Sequence, residues 1–114
     1  MNINVTSRGD IHVLELSGEL DYHSSPELRE KLTELTAKQA PKILVNLSGV
    51  EYMDSSGIAT FVEAFQKTKR YQGRLILAAL TATVRGVFEI AKLDSIFEIA
   101  PTVAEAAGLL GARA

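Results

Sequence analysis

Read for the spacing of its apolar residues, the chain falls into alternating short strands and amphipathic helices. Asn4 to Ser7 and Ile11 to Ser17 read as two strands joined at Arg8-Gly9-Asp10, where glycine supplies the turn of an antiparallel hairpin. In the second strand Leu14 and Leu16 share a face and Val13 and Glu15 the other, which predicts a sheet with one well-buried side. Ser24-Ser25-Pro26-Glu27 announces a helix with two possible starts. Either Ser25 caps it and Pro26 takes the first helical position, or Ser24 caps it and Glu27 completes a capping box. Leu28, Leu32 and Leu35 form its buried stripe, and Pro41 closes its exit.

The next stretch organises the rest. Ile43, Leu44, Val45 and Leu47 make a strand that Ser48-Gly49 is expected to interrupt, leaving Tyr52 and Met53 unassigned. Ile58, Phe61, Val62 and Phe65 then recur at i, i+3, i+4 and i+7, the apolar face of a helix. Gln72-Gly73 stops it, and Arg74 to Ala79 is a strand. Ala82 to Ala91 is a third helix with Val84, Val87 and Phe88 inward, and Ser95 to Ile99 a short edge strand. Thr102-Val103-Ala104-Glu105 is a capping box opening a small-residue helix to about Leu110, and the tail from Gly111 to Ala114 is expected to fray. The class is α/β: a mixed, mostly parallel sheet of about five strands with an antiparallel N-terminal hairpin and about four covering helices. At 114 residues the expectation is one domain, residues 1–114, with a core from about 3 to 110.

Composition narrows the function. Twelve basic against 14 acidic residues leave a net charge of −2, which offers no electrostatic case for nucleic acid or an anionic membrane. With no cysteine, disulfides and thiolate metal sites are excluded, as suits a reducing cytoplasm. The first ten residues lack the basic and apolar regions of a secretory signal, and Leu75 to Leu80 is too short to span a bilayer.

Candidate chemistry centres on Asp54-Ser55-Ser56-Gly57, between the strand that begins at Ile43 and the helix that carries Ile58 and Phe61. Side-chain oxygens there can accept the free N–H groups of the first turn, so capping is the bland reading. The same place suits an anion, and a phosphoserine would alter the surface by about −1.5 to −2 charges without unfolding it. A nucleophilic serine hydrolase is disfavoured: G-x-S-x-G is absent, and the only histidines are His12, expected at a sheet edge, and His23, in a polar loop. No phosphate-binding glycine motif occurs. Glu19, Asp21 and Asp54 have no spacing that fixes a cation geometry, and solvation is the expected state.

The ordered set Gly18-Glu19-Leu20-Asp21, Asn46-Leu47, Tyr52-Met53-Asp54-Ser55-Ser56-Gly57-Ile58 and Gly73-Arg74-Leu75 resembles the STAS domain of bacterial anti-sigma factor antagonists. Val84-Arg85-Gly86-Val87-Phe88, Leu93-Asp94 and Phe97-Glu98-Ile99 continue the resemblance, from about Ile11 to Leu110. It implies a non-catalytic, cytoplasmic partner switch whose unphosphorylated form binds an anti-sigma factor that is itself a serine kinase with a histidine-kinase-like ATP-binding fold. It further implies phosphorylation on Ser55, reversal by a PP2C-type phosphatase, and a partner surface that includes Asp21, Asp54, Ser55, Ser56 and Gly57. The cofactor expectation is none, since ATP belongs to the kinase. Our expectation is that Ser56 is the capping serine and that Gly57 permits close backbone approach. The alternative output is a STAS scaffold subunit of a lipid-transport complex, or a partner switch with a non-sigma target. An intact Asp54-Ser55-Ser56-Gly57 favours the phosphoregulated kind. One departure is Lys92, where the family commonly places glycine. A left-handed lysine costs about 1–2 kcal/mol, which leads us to expect a differently built helix exit.

Overall fold

The computed structural model describes residues 1–111. The frayed tail expected from Gly111 therefore lies, beyond that glycine, outside the described residues. The element order is β1 (Asn2–Arg8), β2 (Ile11–Leu20), α1 (Ser25–Ala37), β3 (Lys42–Met53), α2 (Ser55–Arg70), β4 (Arg74–Ala78), α3 (Ala82–Ile90), β5 (Glu98–Ala100) and α4 (Val103–Leu109). The strands form one sheet in the order β1-β2-β3-β4-β5, with β1 antiparallel to β2 and every other pair parallel. Because each parallel crossover carries a helix, all helices start at the end of the sheet where β2, β3 and β4 finish.

The sheet has two buried faces, not the one expected. Leu14, Leu16, Val45 and Leu77 pack under α1, α2 and α3, through Leu28, Leu32, Phe61, Val84 and Phe88. On the opposite face Ile11, Val13, Leu44 and Ile76 pack beneath Ala106, Ala107 and Leu110 of α4. Strict alternation in β2 was a poor guide because Ile11 and Val13 face α4, while Glu15 on the same face lies beyond its reach and meets water.

Two strands run longer than their apolar patterns. β2 continues through Gly18-Glu19 to Leu20, and β3 continues through Ser48-Gly49 to Met53. Register shifts between Glu15 and Ser17 and between Gly18 and Glu19 absorb the irregularity. Gly49 fits there because a Cβ would meet the Ser17 Cβ at 2.8 Å and the Leu16 carbonyl at 2.9 Å. The last strand is shorter than expected, Glu98–Ala100, because Phe97 turns inward. Its ring meets Phe65 of α2 at 5.0 Å and Phe88 of α3 at 5.5 Å between centroids.

Helix α2 is also rotated from its expected stripe. Phe61 is buried, but Ile58, Val62 and Phe65 are only partly so, and the deepest remaining contacts are Gly57, Thr60, Ala64 and Thr68. Small side chains along that side let α2 approach its neighbours closely. The buried hydroxyls of Thr60 and Thr68 donate to the carbonyls of Ser56 and Phe65, so neither is left unpaired.

Three helices leave through the same left-handed turn, and none uses glycine for it. Gln39, Gln72 and Lys92 have φ of 55°, 60° and 58°. In each case the following N–H reaches back five residues: Ala40 to Leu35, Gly73 to Thr68 and Leu93 to Phe88. The exit at Lys92 is thus built in the left-handed way, correcting the expectation of a different construction. Satisfying the last carbonyls of α3 outweighs the local strain. At the α2 exit the glycine follows the left-handed residue, because a Cβ on Gly73 would lie 2.5 Å from the Tyr71 ring. That ring is held by a hydrogen bond from its hydroxyl to the Ala40 carbonyl, 2.9 Å.

Lys92→Gly should raise stability by roughly 0.5–1 kcal/mol, the left-handed penalty less the extra entropy of glycine in the unfolded chain. Urea denaturation checks this through a higher midpoint at unchanged slope.

Candidate functional site

Strands β2 and β3 run parallel and finish together, with Leu20 paired to Met53. The next residue on each is an aspartate, Asp21 and Asp54, so the two loops leave the sheet side by side. The Asp54 N–H donates to the Leu20 carbonyl at 3.1 Å, extending the pairing one step past the strands.

The Asp54 carboxylate serves both loops. Its Oδ1 accepts from the N–H of Ser56 at 2.9 Å and of Gly57 at 3.4 Å, which caps α2. Its Oδ2 accepts from the N–H of Tyr22 at 3.2 Å, across to the other loop. The capping residue is therefore Asp54, correcting the assignment to Ser56. The extended backbone at Asp54, with φ −108° and ψ −172°, aims its short side chain back at the first turn. Ser56 instead contributes its N–H to that cap and its carbonyl to Thr60.

Ser55, the first residue of α2, is exposed, whereas Ser56 is half-buried and Gly57 buried. Gly57 permits the close approach expected of it: a Cβ there would come within 2.8 Å of Leu20 Cγ and Met53 Cγ. The first turn of α2 sits directly on the paired strand ends, and Ser55 is its outward corner.

Asp21 folds its own loop. Its Oδ1 accepts from the N–H groups of His23 at 2.9 Å and Ser24 at 3.0 Å. The Ser24 hydroxyl accepts from the Asp21 N–H at 2.9 Å and donates to the Glu19 carbonyl at 2.8 Å. Neither expected capping arrangement of α1 forms: Ser24 is the N-cap residue, but its side chain is committed to this loop. The Ser24 N–H bond, ahead of those from the His23 N–H and the Ser24 hydroxyl, holds the Asp21 carboxyl below its ordinary 3.8. Ser24 and Tyr22 were the site residues that sequence reading missed. The D-x-x-S spacing of Asp21 and Ser24, a local side-chain-to-backbone turn, was the signal for the first. Nothing in the sequence marked the second.

His12 is not at a sheet edge: β2 lies between β1 and β3, and its Nδ1 is 3.4 Å from the Ser7 hydroxyl. It pairs with Ile43 at the start of β3, the end of the sheet remote from Ser55. His23 is exposed, its ring edge-on to Tyr22. Among the described residues no group of three histidine or acidic side chains is placed to hold a metal ion. Among the described residues no helix is long and apolar enough to cross a membrane.

Asp54→Ala should cost about 1 kcal/mol of stability through loss of the cap, while Ser56→Ala stays near neutral, measured by chemical denaturation. Because the folded-state Asp21 carboxyl titrates below 3.8, its contribution is present above that pH and lost as pH falls through the folded value. The acid limb of a stability-against-pH profile should accordingly be shallower in Asp21→Asn than in the wild type.

Known proteins share this fold. The STAS domain family matches residues 2–106. The anti-sigma-B factor antagonist of Bacillus subtilis is 40% identical over 102 residues, 87% of this chain and 92% of that protein. The protein of the same name from Listeria monocytogenes is 32% identical over 100 residues, 87% of this chain and 88% of that protein. Among solved structures, an anti-sigma factor antagonist from Mycobacterium paratuberculosis superposes with a TM-score of 0.87 at 24% identity, covering 95% of this chain and 92% of that one. The phosphorylated form of the Bacillus cell fate determinant SpoIIAA does so with a TM-score of 0.77 at 26% identity, covering 96% and 99%. With its mixed five-stranded sheet and the paired loops at the ends of β2 and β3, the chain belongs to the STAS domain family, in its group of anti-sigma factor antagonists.

Proposed function

We propose that this protein is a cytoplasmic partner switch acting on an anti-sigma factor, with Ser55 as its phosphorylation site. Unphosphorylated, it binds an anti-sigma factor that is a serine kinase with a histidine-kinase-like ATP-binding fold, and so releases the sigma factor. The kinase transfers phosphate to Ser55 and ends the interaction. A PP2C-type phosphatase restores it. Asp21, Asp54, Ser55, Ser56 and Gly57 form the docking patch, and the chain itself performs no catalysis and needs no cofactor.

One observation carries this reading: Ser55 is exposed at the start of α2 while Asp54 performs the capping. The hydroxyl is spared a structural duty, so a kinase can modify it without dismantling the helix. A phosphate there lies on the positive end of the helix dipole and is tolerated in the free protein. In a complex the same dianion is desolvated without a partner, or meets like charge, and binding is lost. Coupling of about 1–3 kcal/mol, a factor of 5–150 in affinity, is enough for a switch. Curated relatives that carry the antagonist name, and a phosphorylated structural relative, support the assignment.

Incubated with its anti-sigma factor kinase and ATP, the protein should gain one phosphate, mapped to Ser55 by mass spectrometry. Modification at another residue would overturn the site. Ser55→Ala should bind the kinase and resist phosphorylation. Ser55→Asp should melt close to the wild type yet bind poorly, and a much lower melting temperature would make Ser55 a structural residue.

A further inference from the structure

The described surface carries six exposed large apolar side chains: Val5, Tyr22, Tyr52, Ile90, Ile96 and Leu109. Ile90 and Leu109 close α3 and α4 at the ends of those helices remote from Ser55, and Val5 lies on the edge strand. Tyr52 pairs with Glu19 at the Ser55 end of the sheet and is 47% exposed, and Ile96 lies in the segment before β5. Tyr22 differs from all of these in exposure and support taken together. Its side chain is 74% exposed, the largest exposed aromatic surface of the molecule. Yet three successive backbone N–H groups are held there: its own by Asp54 Oδ2, and the next two by Asp21 Oδ1. The ring lies edge-on to His23, with centroids 5.9 Å apart and planes at 82°.

A tyrosine left in water by an otherwise tightly bonded loop is an unusual use of structure. Such a ring offers a large contact area with only two torsions to freeze, and a pre-ordered backbone removes most of the remaining cost of binding. Aromatic side chains of this kind are enriched among the few residues that dominate protein interfaces. The carboxylate that holds the Tyr22 N–H is also the cap of α2, so the backbone that carries the ring and the turn that carries Ser55 are fastened to one side chain.

We propose that Tyr22 is the aromatic anchor of the docking surface, inserting into an apolar pocket on the anti-sigma factor beside the group that receives Ser55. Asp54 is its positioning residue. This inference rests on the antagonist reading and adds to it the contact from which most of the affinity comes. It also separates two properties of the patch: the ring supplies attachment in the unphosphorylated complex, and Ser55 supplies the control.

The test is titration of the full chain with the anti-sigma factor of its source cell by calorimetry, in the wild type, Tyr22→Ala, Tyr22→Phe and Ile90→Ala. Tyr22→Ala should weaken binding about thirtyfold or more, the threshold of an interface hot spot, while Tyr22→Phe and Ile90→Ala stay within about threefold. In kinase assays Tyr22→Ala should raise KM for Ser55 phosphorylation and leave kcat unchanged. Melting temperatures of all variants should match the wild type, since the ring is exposed. Binding of Tyr22→Ala within about threefold of wild type would overturn the anchor and leave the antagonist reading intact. Loss of binding accompanied by a lowered melting temperature would also overturn it, as a folding effect. Failure of the wild type to bind would instead remove the antagonist reading, and the anchor with it.

Discussion

The site depends on one constraint: two parallel strands that end in register. Leu20 and Met53 are paired, and the Asp54 N–H reaches the Leu20 carbonyl one step beyond them. Parallel pairing forces the chain to leave both strands in the same direction, so the Asp21 and Asp54 loops emerge together. A carboxylate with two oxygens then joins them, one oxygen to the first turn of α2 and one to Tyr22. The capping half of this link is worth about 1 kcal/mol, and the bond to Tyr22 ties the second loop to the same carboxylate.

Packing beneath the loops serves the same end. Gly57 sets the first turn of α2 against Leu20 and Met53, where no side chain would fit. Thr60 and Ala64 keep the next turns close, and the Phe65–Phe97–Phe88 cluster secures the far half of α2 against α3 and the segment before β5. The helix cannot tilt or slide without disturbing the core, so its N-terminal corner is a fixed platform. A hydroxyl placed there is presented in a constant position, which suits recognition by a second protein. Left-handed exits at Gln39, Gln72 and Lys92 accept local strain so that each helix stops in time for the next strand.

Much of this was legible in the residues. The order of strands and helices, the antiparallel start and the N-terminal corner at Ser55 follow from apolar spacing and from the polar cluster before α2. Less legible was anything decided by a neighbour distant in sequence. Ser48-Gly49 looks like a break, but the strand passes through it because two register shifts with β2, one at Gly49 and one after Gly18, absorb the irregularity. Val13 looks solvent-facing opposite Leu14, until α4 returns from the end of the chain to cover it. Phe97 looks like a strand residue, until Phe65 and Phe88 draw it inward.

What the sequence determined by itself was local: roughly where each helix begins, and which polar atoms are on hand there. Those properties depend on residues within a turn or two of one another. Only the tertiary structure decided that Asp54, not Ser56, caps α2, and that the same carboxylate fastens Tyr22, 32 residues away. Competing donors and acceptors within one short segment are nearly equal in energy, so the choice passes to whatever the fold brings alongside. Here the fold brings a second strand end, and Ser55 is left with its hydroxyl facing solvent.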